Sequence, residues 1–256
     1  MRSFLIILLL LSTSIFADTK LVILGSGTPN PDPERSGSSY AIIINEKAYL
    51  VDFGPGIIRR AAVLSEKWGG TFSALNPEKL DIAFLTHIHS DHTIGLADLI
   101  LTPWVMGRDR KLQLYGPRDL KQMAESIING YKSDINYRVL GTQPSNNIGY
   151  KIDFKLLKEG KVFEDKNIKV EAFLVNHGNL KDSYGFRFTT LDKIIVFSGD
   201  TSPSSNVEKF GRGADILVHE AYAHKKLGKK SEDWQKYHKA HHTSKAHSRS
   251  RILRLL

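Results

Sequence analysis

Three histidines and an aspartate lie within six consecutive positions of this chain, directly after an apolar run. They are His87, His89, Asp91 and His92, and the run is LDIAFL. In an extended segment, residues i and i+2 point the same way, so His87 and His89 can present their imidazoles to one point. A following turn into a helix brings Asp91 and His92 to the same region. Imidazole and carboxylate are ligands of zinc, manganese and iron, so the pattern predicts a metal site. A polar surface turn is the alternative interpretation.

Further candidate ligands also follow apolar, strand-like runs. His177 ends VEAFLVNHG, Asp200 ends IIVFSGDT, and His219 and Glu220 end DILVHEAY, while His242 lies in YHKAHHTS. Functional residues collect at strand ends in α/β proteins, which makes these positions candidates for the rest of the site. Taken singly, each is more often a surface or core residue than a ligand.

Composition limits the chemistry. The 256 residues include no cysteine, so thiolate ligands and disulfides are excluded, and a catalytic metal site is favoured over a structural one. The formal net charge is +9, and residues 221–256 contribute ten Lys or Arg against two Asp or Glu. A basic tail of this kind binds nucleic acid or anionic lipid, or is simply solvated.

The first residues are typical of a secretory leader. In MRSFLIILLLLSTSIFADTK one Arg precedes an apolar run, and small residues lead to Ala17. We therefore predict a signal peptide over residues 1–17 and a periplasmic or secreted mature domain over residues 18–256. The apolar run is short for a bilayer span, which needs about 20 residues. A membrane anchor is the alternative, but no stable anchor is expected after cleavage.

The remaining elements predict an α/β fold in one domain. YAIIINEKAYLVDFG has the pattern of a hairpin, and LDIAFLT, KLQLYG, IKVEAFLVNH, SYGFRFTT and KIIVFSGDT have that of strands. PGIIRRAAVLSEKWGG and PRDLKQMAESIING have helical patterns that begin near Pro55 and Pro117. Strands in blocks with flanking helices indicate two packed sheets with helices outside.

Several of these segments together carry a family resemblance. HIHSDH resembles the HxHxDH signature of the metallo-β-lactamase fold, and its neighbours resemble the ribonuclease Z and arylsulfatase-like branch of that superfamily. The neighbouring segments, in family order, are LGSGTPNPDPERSGSS, YLVDFGPG, NHGNLKDSYGFRF, FSGDT, VHEAY and HHTS. The resemblance implies a four-layer αββα sandwich.

The resemblance also implies a centre of two divalent ions, with Zn²⁺ expected and Mn²⁺ or Fe²⁺ as alternatives. It assigns His87, His89 and His177 to the first ion, Asp91, His92 and His242 to the second, and Asp200 to both. His241 competes with His242 for the last position, but the spacing to Thr-Ser favours His242.

The same resemblance suggests roles for residues beside the ions. Asp91 would accept a proton from the attacking water, and His219 would donate one to the leaving group, oriented by Glu220. A hydrogen-bonded pair at a strand end is the alternative for His219 and Glu220. Asp52 would order the neighbouring ligand loop, or would only make ordinary loop hydrogen bonds.

The implied function is an exported dinuclear-metal hydrolase of small ester substrates, either phosphodiesters or sulfate esters, with a metal-bridging hydroxide as nucleophile. Ribonuclease Z carries a long tRNA-gripping arm between its third-motif histidine and its bridging aspartate, whereas residues 178–199 leave no room for one here. A small-molecule substrate is therefore expected and a nucleic acid is not, and a homo-oligomer is possible. The alternatives are a catalytically weakened binding or scaffold protein and a ribonuclease Z-like nuclease.

The C-terminal segment departs from the family pattern. After HHTS the chain continues only with KAHSRSRILRLL, which is long enough for one basic helix but not for a helix and a strand. A truncated fold is one hypothesis for this end. It predicts an exposed edge in the second sheet and a poorly held His242.

Overall fold

The computed structural model describes residues 18–251, so the predicted leader lies outside the described residues. The strands are β1 Lys20–Gly25, β2 Ser39–Ile44, β3 Lys47–Val51, β4 Ile82–Phe84, β5 Leu112–Gly116, β6 Ile152–Leu156, β7 Gly160–Glu164, β8 Lys169–Leu174, β9 Tyr184–Thr189, β10 Ile194–Phe197 and β11 Ile216–Val218. The α-helices are α1 Ile57–Leu64, α2 Ser90–Thr93, α3 Leu96–Val105, α4 Arg118–Gly130, α5 Lys132–Leu140, α6 Ser205–Gly211, α7 His224–Leu227, α8 Glu232–His241 and α9 Lys245–Arg251. Short 3₁₀ helices cover Glu66–Trp68, Ser73–Leu75 and Pro77–Lys79.

The strands form two sheets that correspond to the two halves of the chain. The first sheet has the order β1-β2-β3-β4-β5-β6; its first three strands are antiparallel, and β3 to β6 are parallel. The second has the order β11-β10-β9-β8-β7, antiparallel except for the parallel pair of β10 and β11. Parallel neighbours end on the same side of a sheet, so their following loops meet there.

Side chains alternate between the two faces of each strand, and this alternation lets each sheet pack against the other sheet on one face and against helices on the other. In β2, Ile42 and Ile44 pack between the two sheets, whereas Ala41 and Ile43 face the helical layer. In β10, Ile195 and Phe197 face the first sheet and Val196 faces outward. Because successive side chains point to opposite faces, each sheet buries both of its faces.

Helices cover both outer faces. Apolar residues of α1, α3 and α4 pack on the first sheet, and Val207 of α6 packs on the second. The result is an αββα sandwich, which confirms the predicted fold class. β11 is the edge strand of the second sheet in the part of the chain that the structure describes.

Four of these elements were not predicted from the sequence. The sequence interpretation gave no strand for β7 and no helix for α5, and it treated the region of α7 and α8 as part of a basic tail. Among residues 18–251, none of the helices has the length and apolarity to span a bilayer.

A fully buried arginine ties several loops together on the helical side of the first sheet. The guanidinium of Arg108 donates five hydrogen bonds to four backbone carbonyls, those of Leu80, Leu99, Ile100 and Gly149. Burial lowers the pKa of Arg108 to about 9, which leaves the group protonated and all its donors available at neutral pH.

A polar network joins the two sheets at the β7–β8 turn. Asp165 accepts hydrogen bonds from Lys47 Nζ at 2.8 Å and from Tyr49 Oη at 2.7 Å, and Asn167 Nδ2 donates to Tyr49 Oη at 3.0 Å. Burial alone would raise the pKa of Asp165, but these donors outweigh it and hold the pKa below its ordinary value. Burial also raises the pKa of Tyr49 well above its ordinary value, so the phenol stays a donor.

This network makes stability depend on pH in the acid range. The pKa of Asp165 is lower in the folded protein than in the unfolded chain. The ionised carboxylate therefore stabilises the fold fully above its unfolded-state pKa, and this stabilisation is lost as the pH falls through its folded-state pKa. We expect Asp165→Asn to be less stable than the parent at pH 7, and the difference to shrink towards pH 3. Urea unfolding at both pH values measures it, with the exposed Asp119→Asn as control. A difference independent of pH would contradict this account.

Candidate metal centre and cleft

The candidate residues lie on loops that follow strand ends. Asp52 follows β3, His87 and His89 follow β4, His177 follows β8, and Asp200 follows β10. β3 and β4 are parallel neighbours, and the backbone N–H of Asp52 donates a hydrogen bond to the carbonyl of Phe84 at 2.8 Å. The two halves of the chain therefore bring these loops to one edge of the sandwich.

Three ring nitrogens form a compact group. His89 Nδ1 lies 3.1 Å from His87 Nε2 and 3.0 Å from His177 Nε2. A tetrahedral zinc ion with nitrogens at its usual bond length separates them by about 3.3 Å, so this spacing suits one ion. Burial lowers the pKa of all three rings, that of His177 to about 4, and neutral rings keep the lone pairs a metal needs.

Asp200 belongs to two further sets of candidate metal ligands. Its Oδ1 lies 3.6 Å from His92 Nε2, and its Oδ2 lies 4.0 Å from His87 Nε2 and 3.7 Å from His242 Nδ1. Within residues 18–251, the three sets whose candidate ligand atoms lie within 4.8 Å of one another are His87, His89 and His177; His87, His92 and Asp200; and Asp200, Glu220 and His242.

These sets contain six of the seven predicted metal ligands. Asp91 is the exception: its Oδ2 lies 3.6 Å from His92 Nε2, but it belongs to none of the three sets. Glu220, predicted only as an orienting residue, takes part in one of them. The carboxylate of Asp91 is buried and lines the adjoining cleft, and burial raises its pKa.

Hydrogen bonds made by Nδ1 orient three of the histidine rings. His92 Nδ1 donates to Asp52 Oδ2 at 2.7 Å, and His177 Nδ1 donates to the His241 carbonyl at 2.8 Å. His87 Nδ1 lies 3.0 Å from Thr86 Oγ1, whose hydroxyl donates to Asp52. Each contact leaves Nε2 facing the centre, which is how metal-binding histidines are usually oriented.

The sequence interpretation gave Asp52 this supporting role but could not identify the other acceptors. One is the side chain next to a ligand, Thr86, and the other is a backbone carbonyl. A backbone acceptor has no signal in the residue type, so only the fold reveals it.

Charge in the centre is balanced by groups of opposite sign. Burial opposes protonation of His92, but Asp52 and Asp200 outweigh it and raise its pKa well above the ordinary value. His92, His87 and His242 in turn overcome the effect of burial on Asp200 and hold its pKa below the ordinary range. A divalent cation placed here would take over the positive charge that protonated imidazole supplies.

The expectation that Glu220 orients His219 is wrong. Glu220 Oε1 accepts from the backbone N–H groups of Thr201 and Thr243, both at 3.2 Å, and lies 3.1 Å from His242 Nδ1. His219 Nδ1 instead lies 2.7 Å from Ser198 Oγ. The two neighbouring side chains, which follow β11, have different partners, so Glu220 supports the HHTS segment rather than the histidine beside it.

His242 occupies the predicted position, and His241 does not. The ring of His241 stacks on Tyr237 and packs over Gly178, where a Cβ would lie 2.0 Å from its Nε2. Thr243 is fully buried and donates to the Thr201 carbonyl at 2.6 Å. The expectation of a poorly held His242 is therefore wrong in this structure, because hydrogen bonds from Thr243 to the Thr201 carbonyl and to Glu220 anchor the segment.

A cleft of about 680 Å³ opens beside the centre. Its lining includes loop residues after β1, the candidate residues His89, Asp91, Asp200, His219 and His242, and residues of α8 and the turn before it. The volume is typical of small-ligand sites. Among the lining residues that were not predicted from the sequence are Trp234, Tyr237 and His238 of α8.

One protein-family model matches most of this chain. A family model described as "Anti-Pycsar protein Apyc1" matches residues 19–232. The chain belongs to this family. Ribonuclease Z of Mycobacterium bovis (strain BCG / Pasteur 1173P2) is 29% identical over 208 residues, which cover 78% of this chain and 69% of that protein.

Solved structures share the fold of this Apyc1-family chain. The metallo-β-lactamase fold protein YhfI from Bacillus subtilis has a TM-score of 0.62 at 18% identity, covering 88% of this chain and 78% of that one. The short form of human tRNase Z has a TM-score of 0.66 at 20% identity, covering 92% and 88%. These similarities confirm the predicted metallo-β-lactamase fold. The similarity to ribonuclease Z conflicts with the expectation that the partner is a small molecule and not a nucleic acid, and the substrate itself stays a prediction.

Proposed function

We propose that this chain is a metal-dependent hydrolase of small phosphodiesters that uses two divalent ions. The observation that carries the proposal is the convergence of His87, His89, His92, His177, Asp200 and His242 on one edge of the sandwich. The name of the curated relative, a ribonuclease, supports hydrolysis of a phosphate diester.

The residues present fit such ions. His87, His89 and His177 would hold one, while His92, Asp200 and His242 would hold the other, with Glu220 as a further oxygen donor. Nitrogen and oxygen donors without thiolate favour Zn²⁺, with Mn²⁺ or Fe²⁺ as alternatives. When bound, two such ions lower the pKa of water towards neutrality and supply positive charge where the diester reacts.

The cleft residues would handle protons around that reaction. Asp91 lines the cleft beside His92 and can accept a proton from the attacking water. His219 also lines the cleft, and its Nε2 is buried with no hydrogen-bond partner among the described residues. Ser198 Oγ donates to the Gly199 carbonyl at 2.7 Å, so it receives the Nδ1 proton of His219. Burial lowers the pKa of His219 to about 4, so the ring is neutral at pH 7 and its Nε2 is an acceptor. To act as the acid, Nε2 would first take up a proton from water in the cleft and then pass that same proton to the leaving oxygen.

The substrate is proposed to be small because the region between His177 and Asp200 is short. It contains β9 and β10 and the loops that join them, with no inserted arm. The cleft volume also suits a ligand of nucleotide size or smaller. RNA cleavage is the second candidate, and the 29% identity to ribonuclease Z is the observation that favours it.

A substrate comparison tests this proposal. The full chain, loaded with zinc or manganese, is offered bis(p-nitrophenyl) phosphate, p-nitrophenyl sulfate and a precursor tRNA. We expect the diester to be hydrolysed fastest, with the activity lost on chelation and restored by metal. Faster cleavage of the tRNA would favour the ribonuclease, and faster cleavage of the sulfate a sulfatase. Two bound ions with no hydrolysis at all would favour a binding or scaffold protein.

A further inference from the structure

The last turn of α8 packs against the segment that carries a candidate metal ligand. The backbone N–H of Gly178 donates to the Ala240 carbonyl at 3.1 Å, and His177 Nδ1 donates to the His241 carbonyl at 2.8 Å. The final carbonyls of a helix have no partner within the helix, so these two donors satisfy groups that would otherwise need water. α8 therefore ends on the histidine whose Nε2 faces the candidate metal centre.

Glycine at position 178 permits this close approach. Its φ is +57°, in the left-handed region, and a Cβ there would lie 2.0 Å from His241 Nε2. The three heavy atoms nearest to that Cβ all belong to the His241 ring. The ring is held in place because its Nδ1 donates to the Tyr237 carbonyl at 2.8 Å and its face stacks on the Tyr237 ring. Any side chain at position 178 would therefore displace His241 from its place.

The rest of α8 makes little apolar contact with the domain. Over Glu232–His241, the described range of α8, no residue is buried, and Trp234 is 54% exposed. A helix with so few buried contacts opens locally at a low free-energy cost unless one of its ends is anchored. Trp234 and His238 line the cleft, so the docking of α8 determines the shape of one cleft wall.

We infer that Gly178 and His241 are positioning residues that couple the docking of α8 to metal binding at His177. The inference rests on the proposed function, which places an ion on His87, His89 and His177. With an ion on its Nε2, the His177 ring is fixed, and its Nδ1–H becomes a stronger donor to the His241 carbonyl. Coupling between two sites is reciprocal, so a docked α8 also holds His177 in place for the ion. The cleft wall is then complete only in the metal-loaded protein.

Hydrogen exchange with and without zinc tests the coupling separately from activity. In the parent full chain, zinc is expected to slow exchange of the α8 amides by about 5- to 150-fold, the usual range of coupling between two sites. Exchange in α5, whose residues are not among those that line the cleft, should change less than about twofold, since its amides open locally. Gly178→Ala should abolish the protection of α8 and weaken zinc binding by a similar factor. Competition with a chromogenic chelator measures the zinc affinity.

Two further variants separate the His241 contact from simple backbone strain. Gly213→Ala is the matched control, because Gly213 has a φ of +66° but nothing within 4 Å of the position of a Cβ. It should keep both the zinc affinity and the protection of α8. Gly178→Ala/His241→Ala removes the ring that the new methyl group meets and leaves the backbone carbonyl at position 241. It should recover much of both properties.

The inference fails if α8 exchange is unchanged in the zinc-loaded parent, if Gly178→Ala and Gly213→Ala lose equally, or if the double variant recovers nothing. Hydrolysis of bis(p-nitrophenyl) phosphate is measured on the same preparations. Zinc-dependent protection of α8 without hydrolysis would refute the proposed function and leave the coupling standing. Zinc-dependent hydrolysis with unchanged α8 exchange would refute the coupling alone, and a parent that binds no zinc would refute both.

Discussion

Replacing Asp200 by asparagine is expected to lower diester hydrolysis by at least about 100-fold and to reduce the bound metal from about two ions per chain to about one. The carboxylate of Asp200 belongs to two of the three candidate ligand sets. Its oxygens lie within 4.0 Å of nitrogens of His87, His92 and His242. The amide has the same shape but no charge, so it cannot balance two cations.

Elemental analysis and rate measurements on the same preparations check this result. Asp182→Asn removes an exposed carboxylate that does not line the cleft, and it should retain both metal and activity. Full metal content and an unchanged rate in Asp200→Asn would show that the centre does not depend on the shared carboxylate. The ligand assignment would then fall.

The second large effect concerns stability. Arg108→Met is expected to reduce the free energy of unfolding by about 3–5 kcal/mol, because it leaves buried carbonyls without donors. The four acceptors belong to three separate segments: Leu80 before β4, Leu99 and Ile100 in α3, and Gly149 before β6. Arg108→Lys should lose somewhat less, since one ammonium group offers three donors but cannot reach all four acceptors.

Urea unfolding measures the change, and Arg118→Met is the matched control. Arg118 is exposed at the start of α4, so its loss should alter stability by no more than about 0.5 kcal/mol. If Arg108→Met were as stable as the control variant, an apolar side chain could replace the buried guanidinium without loss of stability. Its hydrogen bonds would then contribute nothing that a methionine side chain does not.

Much of the fold was predictable because local patterns agree with the tertiary structure. β2 alternates between two buried faces, and α4 begins directly after Pro117, where a helix start is expected. β7 was missed because Gly160 and Lys161 begin it and much of it is exposed, which leaves little apolar periodicity. α8 was missed because its charged residues dominated the interpretation of that segment as a tail.

The candidate site was predictable where a ligand has a distinctive residue type and a strand before it. His177 and Asp200 are examples, and the fold brings both to the HIHSDH loop. Side-chain direction was not predictable in the same way. Whether Glu220 turns to His219 or to His242 depends on where the HHTS segment packs, and that depends on contacts more than 20 residues away in the sequence.

The candidate ligands come from loops that follow strands of both sheets, and this has a consequence for how the protein matures. Chelation requires residue 87 to meet residue 242, which closes a loop over most of the chain. A partly folded chain with only one sheet offers an incomplete set of donors, so an ion gains little by binding early. Metal uptake would therefore stabilise the finished protein selectively, as mass action requires of a ligand that binds only the native state. The ion would therefore bind tightly only after both halves of the chain have been synthesised and have packed together.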